Sequence, residues 1–201
     1  GVPVTVAVDS DATIRAATDA GLRSVLIDVN VGLPRGGCAP EHAARLAERA
    51  RAAGHEVRGV MGYQGHVVGD PDEAARATEC ARSMEMLSRA HQAVGGPIVS
   101  AGGTGTYRVN QVATEIQAGS YVFSDTAYRR VVPEFELALH LVATVLNVTP
   151  AYAVADAGLK ALGLDHGSQA IEGAEVWFCS DEHVTFALSG GATLTPGDRV
   201  M

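Results

Sequence analysis

The sequence is poor in lysine, cysteine and aromatic residues. Lys160 is the only lysine in 201 residues, and aromatic residues make up 5%. A single side-chain amine is therefore available for Schiff-base chemistry. The three cysteines, Cys38, Cys80 and Cys179, are far apart in the chain and do not have the spacing of a zinc site. They predict reduced thiols and a cytoplasmic location.

Long apolar runs and an excess of positive charge are also missing. No segment approaches the roughly 18–20 apolar residues of a membrane span, and the first residues do not resemble a secretory signal. The 23 acidic residues outnumber the 15 basic ones, so the formal net charge is −8. This charge disfavours binding to a nucleic-acid backbone. We therefore expect a globular protein that binds a small molecule and neither nucleic acid nor a membrane.

Neither end has the polar residues that are usual at termini. Gly1 leads directly into the apolar run Val2–Val8 without a preceding methionine, and Met201 follows a turn that leads into another apolar segment. We interpret the 201 residues as a piece of a longer protein.

Short apolar runs alternate with amphipathic segments over the first 125 residues. Such alternation predicts a parallel sheet covered by helices on both faces, either a doubly wound sheet or part of a (β/α)₈ barrel. The predicted strands are Val4–Val8, Ser24–Val29, Glu56–Met61, Pro97–Ser100 and Ser120–Ser124. The predicted helices run from Asp9 to Asp19, from Pro40 to Ala53, from Asp70 to Val94 and from Val109 to Thr114.

The pattern changes after about residue 133. Short apolar runs separated by Gly, Asp, Ser and Pro predict a second, mostly antiparallel β domain. We place the first domain at residues 1–132 and the second at 133–201. The predicted strand-like runs are Phe135–Thr149, Tyr152–Ala155, Glu175–Cys179, His183–Leu188 and Asp198–Val200.

Polar or glycine-rich loops adjoin four of the predicted parallel strands, at 30–37, 62–66, 102–106 and 117–120. The carboxyl ends of parallel strands lie on one face, where α/β proteins bind their ligands. The loop 102–106, Gly-Gly-Thr-Gly-Thr, has the backbone N–H groups and hydroxyls of an anion cradle, although a plain strand-to-helix turn is the alternative. It lacks the lysine of a P-loop and the glycine spacing of a dinucleotide fingerprint.

Two other loops carry side chains that could complete such a site. Arg35 could bind an anionic or phenolic oxygen, or it could be a solvated surface arginine. Tyr63 offers an aromatic face, or it could simply pack on a neighbouring helix. Lys160 lies far from these loops in the sequence, which favours a structural or peripheral role.

Taken together, six segments resemble the D-threonine aldolase and D-serine dehydratase-like family, which shares the alanine-racemase-type pyridoxal-phosphate barrel. They occur in family order over nearly the whole chain, and the string 115–125 is the most specific. The segments are Leu26–Cys38, Gly62–His66, Val99–Thr106, Glu115–Asp125, Asp156–Lys160 and Ser180–His183.

The resemblance implies a cofactor-binding role for six residues. Tyr63 matches the tyrosine that lines the cofactor, and Arg35 matches the arginine near the phenolic side of the pyridine ring. Gln117 lies where the broader barrel family places the partner of the ring nitrogen. The positions that match phosphate-binding residues are Thr104, Gly119 and Ser120.

The resemblance also implies groups that this chain lacks. The family's Schiff-base lysine lies upstream of the matched segments, and its divalent-metal ligands (for Mn, Mg or Zn) lie downstream of Met201. No catalytic residue and no metal ligand is thus expected in this chain. A second tyrosine of the dehydratases is replaced by Asp70. The implied architecture is an incomplete (β/α)₈ barrel followed by part of a mostly antiparallel β domain.

The implied parent protein is a homodimeric pyridoxal-phosphate lyase that acts on D-configured β-hydroxy amino acids, such as D-threonine or D-serine. It would catalyse either Cα–Cβ cleavage or elimination of water. One alternative is an amino-acid racemase of the same fold, and another is a non-catalytic pyridoxal-phosphate-binding protein, against which the second domain counts. A third alternative is that the chain by itself is an inactive fragment.

Overall fold

A computed structural model describes residues 2–189 and 193–201 of the chain. The structure divides into two compact units, Gly1–Tyr121 and Val122–Met201. The domain boundary between residues 132 and 133 stays a prediction. Within the described residues, every helix is too short or too polar to cross a membrane.

The first unit is built on a five-stranded, wholly parallel sheet in the order β1-β2-β3-β4-β5. Its strands are β1 (Thr5–Val8), β2 (Ser24–Asp28), β3 (Glu56–Gly62), β4 (Ile98–Ala101) and β5 (Glu115–Ile116). The connecting helices are α1 (Asp11–Asp19), α2 (Ala43–Ala52), which follows a 3₁₀ turn at Pro40–His42, and α3 (Glu73–Val94). The predicted alternation of strands and helices is confirmed for the first four strands.

Local signals in the sequence set the ends of these helices. The side chain of Ser10 caps α1 by accepting from the N–H of Thr13 at 3.3 Å, and Asp72 caps α3 by accepting from the N–H groups of Ala74 and Ala75. Such caps satisfy N–H groups that have no partner within the helix. Gly54, just after α2, has a φ of +91°, which a glycine adopts without strain.

Alternate residues of the strands form the core between sheet and helices. Val25 and Ile27 of β2 and Val99 and Ala101 of β4 belong to this core, together with Leu87 of α3. Because side chains alternate across a strand, Asp28 and Ser100 lie on the other face of the sheet. That face carries the polar groups described below.

Two predicted elements near the end of the first unit are wrong. The segment predicted as a helix from Val109 to Thr114 forms turns and bends, and the fifth strand is β5 rather than Ser120–Ser124. A short apolar run does not distinguish a strand from a turn by periodicity alone. Tyr121 directs its N–H to the Thr104 hydroxyl oxygen, and a 3₁₀ turn covers Ser120–Val122.

The second unit contains a short helix, α4 (Tyr128–Val131), and a five-stranded antiparallel sheet in the order β10-β6-β7-β9-β8. The strands are β6 (Ala143–Val148), β7 (Ala153–Ala155), β8 (Ala174–Cys179), β9 (Val184–Leu188) and β10 (Arg199–Val200). Phe186 is fully buried among small residues of β6 and β7. The antiparallel β structure is confirmed, although residues 135–142 are not a strand.

Candidate functional site

Loops after β2, β3 and β4 meet at the carboxyl end of the parallel sheet. The guanidinium carbon of Arg35 lies 5.1 Å from the centre of the Tyr63 ring. The ring also lies close to the glycine loop, because a Cβ at Gly103 would be 3.6 Å from Tyr63 Cε2. Tyr63 therefore contacts Arg35 of the arginine loop and lies next to the predicted anion cradle.

The glycine loop packs directly on the chain that follows Tyr63. A Cβ at Gly105 would overlap the carbonyl oxygen of Val68, and a Cβ at Gly103 would lie 2.8 Å from Val68 Cγ1. Both positions therefore exclude larger side chains. The two glycines allow the loop 102–106 to lie against the loop 62–70.

A buried amide network joins the same two loops. Gln64 is fully buried, and its Nε2 donates to the carbonyl oxygen of Cys80 at 3.2 Å. Asn110 Nδ2 donates to Gln64 Oε1 at 3.4 Å, while Asn110 Oδ1 accepts from the N–H groups of Val112 and Ala113. Buried polar groups with satisfied hydrogen bonds hold a unique arrangement. This network fixes the loops that carry Tyr63 and Thr104.

The structure brings Thr104 next to the Gly119–Ser120 segment. The N–H of Tyr121 donates to Thr104 Oγ1 at 3.2 Å, and the residue Thr104 is 3% exposed. Gly119 and Ser120 themselves are exposed, and nothing lies within 4 Å of a Cβ built at Gly119. The two predicted phosphate-binding segments thus form one surface with open space in front of Gly119.

Both segments contain backbone N–H groups that have no acceptor in the described part of the protein, two of them in the buried glycine loop. Within residues 2–189 and 193–201, the backbone N–H groups of Thr104, Gly105 and Gly119 donate to no protein acceptor. A phosphate group carries several acceptor oxygens and binds well to converging backbone N–H groups. The two segments therefore supply neutral donors of the kind that would hold the phosphate of pyridoxal phosphate.

Gln117 follows β5 and is linked to the face of the sheet opposite the helices. Its backbone N–H donates to the carbonyl oxygen of Ala101 at 3.0 Å, and its Nε2 donates to Ser100 Oγ at 3.1 Å. Ser100 Oγ in turn donates to Glu115 Oε1 at 2.6 Å. The register pairs Ser100 with Glu115 across β4 and β5, so these side chains share one face.

Acidic side chains also lie at this end of the sheet. Burial raises the pKa of the Asp28 carboxyl, the charge of Asp9 raises it further, and the charge of Arg35 opposes the rise. Asp9 Oδ2 accepts from the N–H of Gly37 at 3.3 Å, which ties β1 to the arginine loop. Burial, together with the charge of Asp28, raises the pKa of the Cys38 thiol to about 11. The thiol is therefore protonated at neutral pH and a poor nucleophile.

Lys160 lies in the second unit. Its Nζ is paired with the carboxylate of Glu182, and Asp181 Oδ2 is 3.9 Å away. In the part of the chain that the structure describes, no three His, Cys, Asp or Glu side chains are arranged to hold a metal ion. The divalent metal stays a prediction.

Sequence reasoning did not single out Asp28, Val68, Ser100 or Glu115 for this site. Asp28 and Ser100 each occupy the last or next-to-last position of a parallel strand. A polar residue at that position in an otherwise apolar strand is the signal that could have identified both. The contact between Val68 and the glycine loop 102–106 has no signal in the sequence, because it depends on how that loop packs against the loop 62–70.

Two family models match the chain. That of the alanine racemase N-terminal domain matches residues 3–127, and that of the putative serine dehydratase domain matches residues 138–201. The 3-hydroxy-D-aspartate aldolase of Paracoccus denitrificans (strain Pd 1222) is 30% identical, over 91% of this chain and 54% of the relative. The D-threonine aldolase of an Arthrobacter species is 30% identical, over 89% of this chain and 52% of the relative.

The fold is also similar to a solved structure. The crystal structure of D-threonine aldolase from Filomicrobium marinum matches with a TM-score of 0.84 and 31% identity, over 98% of this chain and 59% of that one. The predicted fold class, part of a (β/α)₈ barrel followed by a β domain, is confirmed. The chain spans about half the length of the two relatives above. The chain belongs to the family of the alanine racemase N-terminal domain, of the fold-type III pyridoxal-phosphate group.

Proposed function

We propose that this chain forms the phosphate- and ring-binding part of a pyridoxal-phosphate lyase that acts on D-configured β-hydroxy amino acids. The hydrogen bond from the Tyr121 N–H to Thr104 Oγ1, at 3.2 Å, carries the proposal. It joins the glycine loop after β4 to the Gly119–Ser120 segment after β5, and so makes one cradle from two distant stretches of sequence.

Each predicted site residue has a task in this proposal. The three phosphate-binding residues are Thr104, Gly119 and Ser120. Tyr63 would line the cofactor ring, and Arg35, held over Tyr63, would bind its phenolic oxygen. Gln117 contacts the ring nitrogen. Pyridoxal phosphate, when bound, supplies the electron sink for bond breaking at the substrate's α-carbon.

The substrate class and the reaction rest on the relatives. Names such as D-threonine aldolase and 3-hydroxy-D-aspartate aldolase support a D-configured amino acid with a β-hydroxyl group. The test is the protein that contains this chain together with the segments that the relatives have outside the match. We expect it to release glycine from D-threonine, or pyruvate from D-serine, and to leave the L-isomers unchanged. Turnover of L-threonine at the same rate would contradict the substrate class.

Cofactor binding can be tested on the same longer protein. We expect Thr104→Val to weaken binding of pyridoxal 5′-phosphate about tenfold or more, because the variant removes a hydroxyl from the cradle and leaves the Tyr121 N–H without its acceptor. The matched control is Thr78→Val on the exposed surface of α3, where the hydroxyl donates only to Ala74. Equal affinity of both variants, measured by titration calorimetry, would contradict the proposed cradle.

A further inference from the structure

A three-residue hydrogen-bond chain determines how Gln117 presents its side chain. Ser100 is 3% exposed, and its Oγ lies 2.6 Å from Glu115 Oε1 and 3.1 Å from Gln117 Nε2. An ionised carboxylate only accepts hydrogen bonds, and a serine hydroxyl has one proton to donate. Since that proton goes to Glu115, Ser100 can only accept from Gln117.

The direction of this chain fixes the orientation of the amide. Gln117 must turn its NH₂ group towards Ser100, so its carbonyl oxygen, Oε1, points away from Ser100. Among the residues that the structure describes, Oε1 has no hydrogen-bond partner. The backbone of Gln117 is held by Ala101, so the side chain stays at the end of β5. The group available for a ligand is therefore an acceptor and not a donor.

We propose that Ser100 and Glu115 are positioning residues, which orient Gln117 so that its carbonyl oxygen accepts a hydrogen bond from the protonated ring nitrogen of the bound cofactor. The inference rests on the proposed function, in which Gln117 contacts that nitrogen. It adds that the hydrogen bonds from Gln117 to Ser100 and from Ser100 to Glu115 favour the protonated form of the ring nitrogen. An acceptor at this position stabilises a ring N–H, whereas a donor would stabilise the neutral nitrogen.

The test reverses the hydrogen-bond chain by a substitution that keeps the size of the side chain. In Glu115→Gln, the new amide NH₂ can donate to Ser100 Oγ. The Ser100 hydroxyl can then donate its own hydrogen bond to Gln117. The Gln117 amide turns and presents NH₂ to the ligand. The sheet offers a matched control, because Ser24 of β2 donates to Glu56 Oε2 of β3 at 3.0 Å with the same paired register, at the amino end of the strands. Glu56→Gln changes that pair and leaves the site untouched.

The probe is pyridoxine 5′-phosphate labelled with ¹⁵N in the ring, which has no aldehyde and needs no lysine. The nitrogen chemical shift of the bound probe at neutral pH distinguishes a protonated from a neutral ring. We expect a protonated ring with the wild type and with Glu56→Gln, and a shift to the neutral position with Glu115→Gln. Ser100→Ala should also lose the protonated signal, and Ser100→Thr, which retains a hydroxyl, should restore it.

The outcomes separate the inference from the proposed function. If the wild-type chain binds the probe but Glu115→Gln leaves the ring protonated, the relay is overturned and the cofactor site stands. The relay is also overturned if Glu56→Gln shifts the signal as far as Glu115→Gln does. If the wild-type protein that contains this chain does not bind the probe, the proposed cofactor site is wrong and the inference falls with it.

Discussion

The guanidinium of Arg35 lies over the ring of Tyr63, 5.1 Å from its centre, although the two residues follow different strands of the sheet. Arg35 is exposed, and this cation–π contact holds its long side chain at the mouth of the site. Such contacts contribute about 0.5–1 kcal/mol at exposed positions. The contact places a cation at the end of the sheet where Tyr63 lies.

This contact predicts different effects for two substitutions of Tyr63. Tyr63→Phe keeps the aromatic face and should leave the affinity for pyridoxine 5′-phosphate within about twofold of the wild type. Tyr63→Leu removes the face that holds Arg35 and should weaken binding about five- to tenfold, because ring contact and cation–π contact are both lost. Titration calorimetry measures both. Equal losses would show that the phenolic hydroxyl, rather than the ring, is what matters.

The packing of the glycine loop predicts that position 105 tolerates no side chain. In Gly105→Ala the new Cβ would overlap the Val68 carbonyl oxygen, so the loop must move away and the cradle opens. We expect a loss of pyridoxine 5′-phosphate binding of at least about tenfold. Gly69→Ala is the control in the neighbouring loop, since a Cβ there meets nothing within 4 Å. Retained affinity in Gly105→Ala would contradict the close packing on Val68.

The thiol of Cys38 should react slowly. Its pKa is raised from 9.0 to about 11 by burial and by nearby carboxylates, so about 100-fold less thiolate is present at pH 8 than for an unperturbed thiol. We expect iodoacetamide to label Cys38 correspondingly slowly, as followed by peptide mass spectrometry. Asp28→Asn removes one of the charges that raise the pKa and should speed labelling. An unchanged rate in that variant would argue against the electrostatic contribution.

Asp28 should also make stability depend on pH. Its pKa in the folded protein is raised above 3.8, mainly by burial, so the folded protein holds this proton more tightly than the unfolded chain. The stabilising contribution is complete below 3.8 and is lost as the pH rises through the raised pKa. Asp28→Asn should therefore unfold at higher urea concentration than the wild type at pH 7.

The difference between Asp28→Asn and the wild type should shrink as the pH is lowered through the raised pKa of Asp28. Glu48→Gln on the exposed surface of α2 is the control for loss of a negative charge. A stability gain of the same size at pH 4 and pH 7 would mean that packing, and not ionisation, causes it.

The sequence by itself determined the order and type of most elements. The alternation of strand-like segments such as 24–28 and 56–62 with helical segments predicts buried strands. Gly54, Ser10 and Asp72 mark helix ends by local backbone chemistry. The loops that follow the strands could be recognised as one site, because the carboxyl ends of parallel strands share a face. The strand predicted at 120–124 was wrong because a short apolar run has no periodicity that separates a strand from a turn.

Only the tertiary structure decided which side chains act together. The contacts of Val68 with Gly105, of Tyr121 with Thr104, and of Ser100 with Glu115 join residues that are 15 or more positions apart. Each depends on strand register and on how loops pack, which hydrophobic patterning does not specify. The cradle and the orientation of Gln117 therefore follow from long-range geometry, whereas the face on which they lie follows from the sequence pattern.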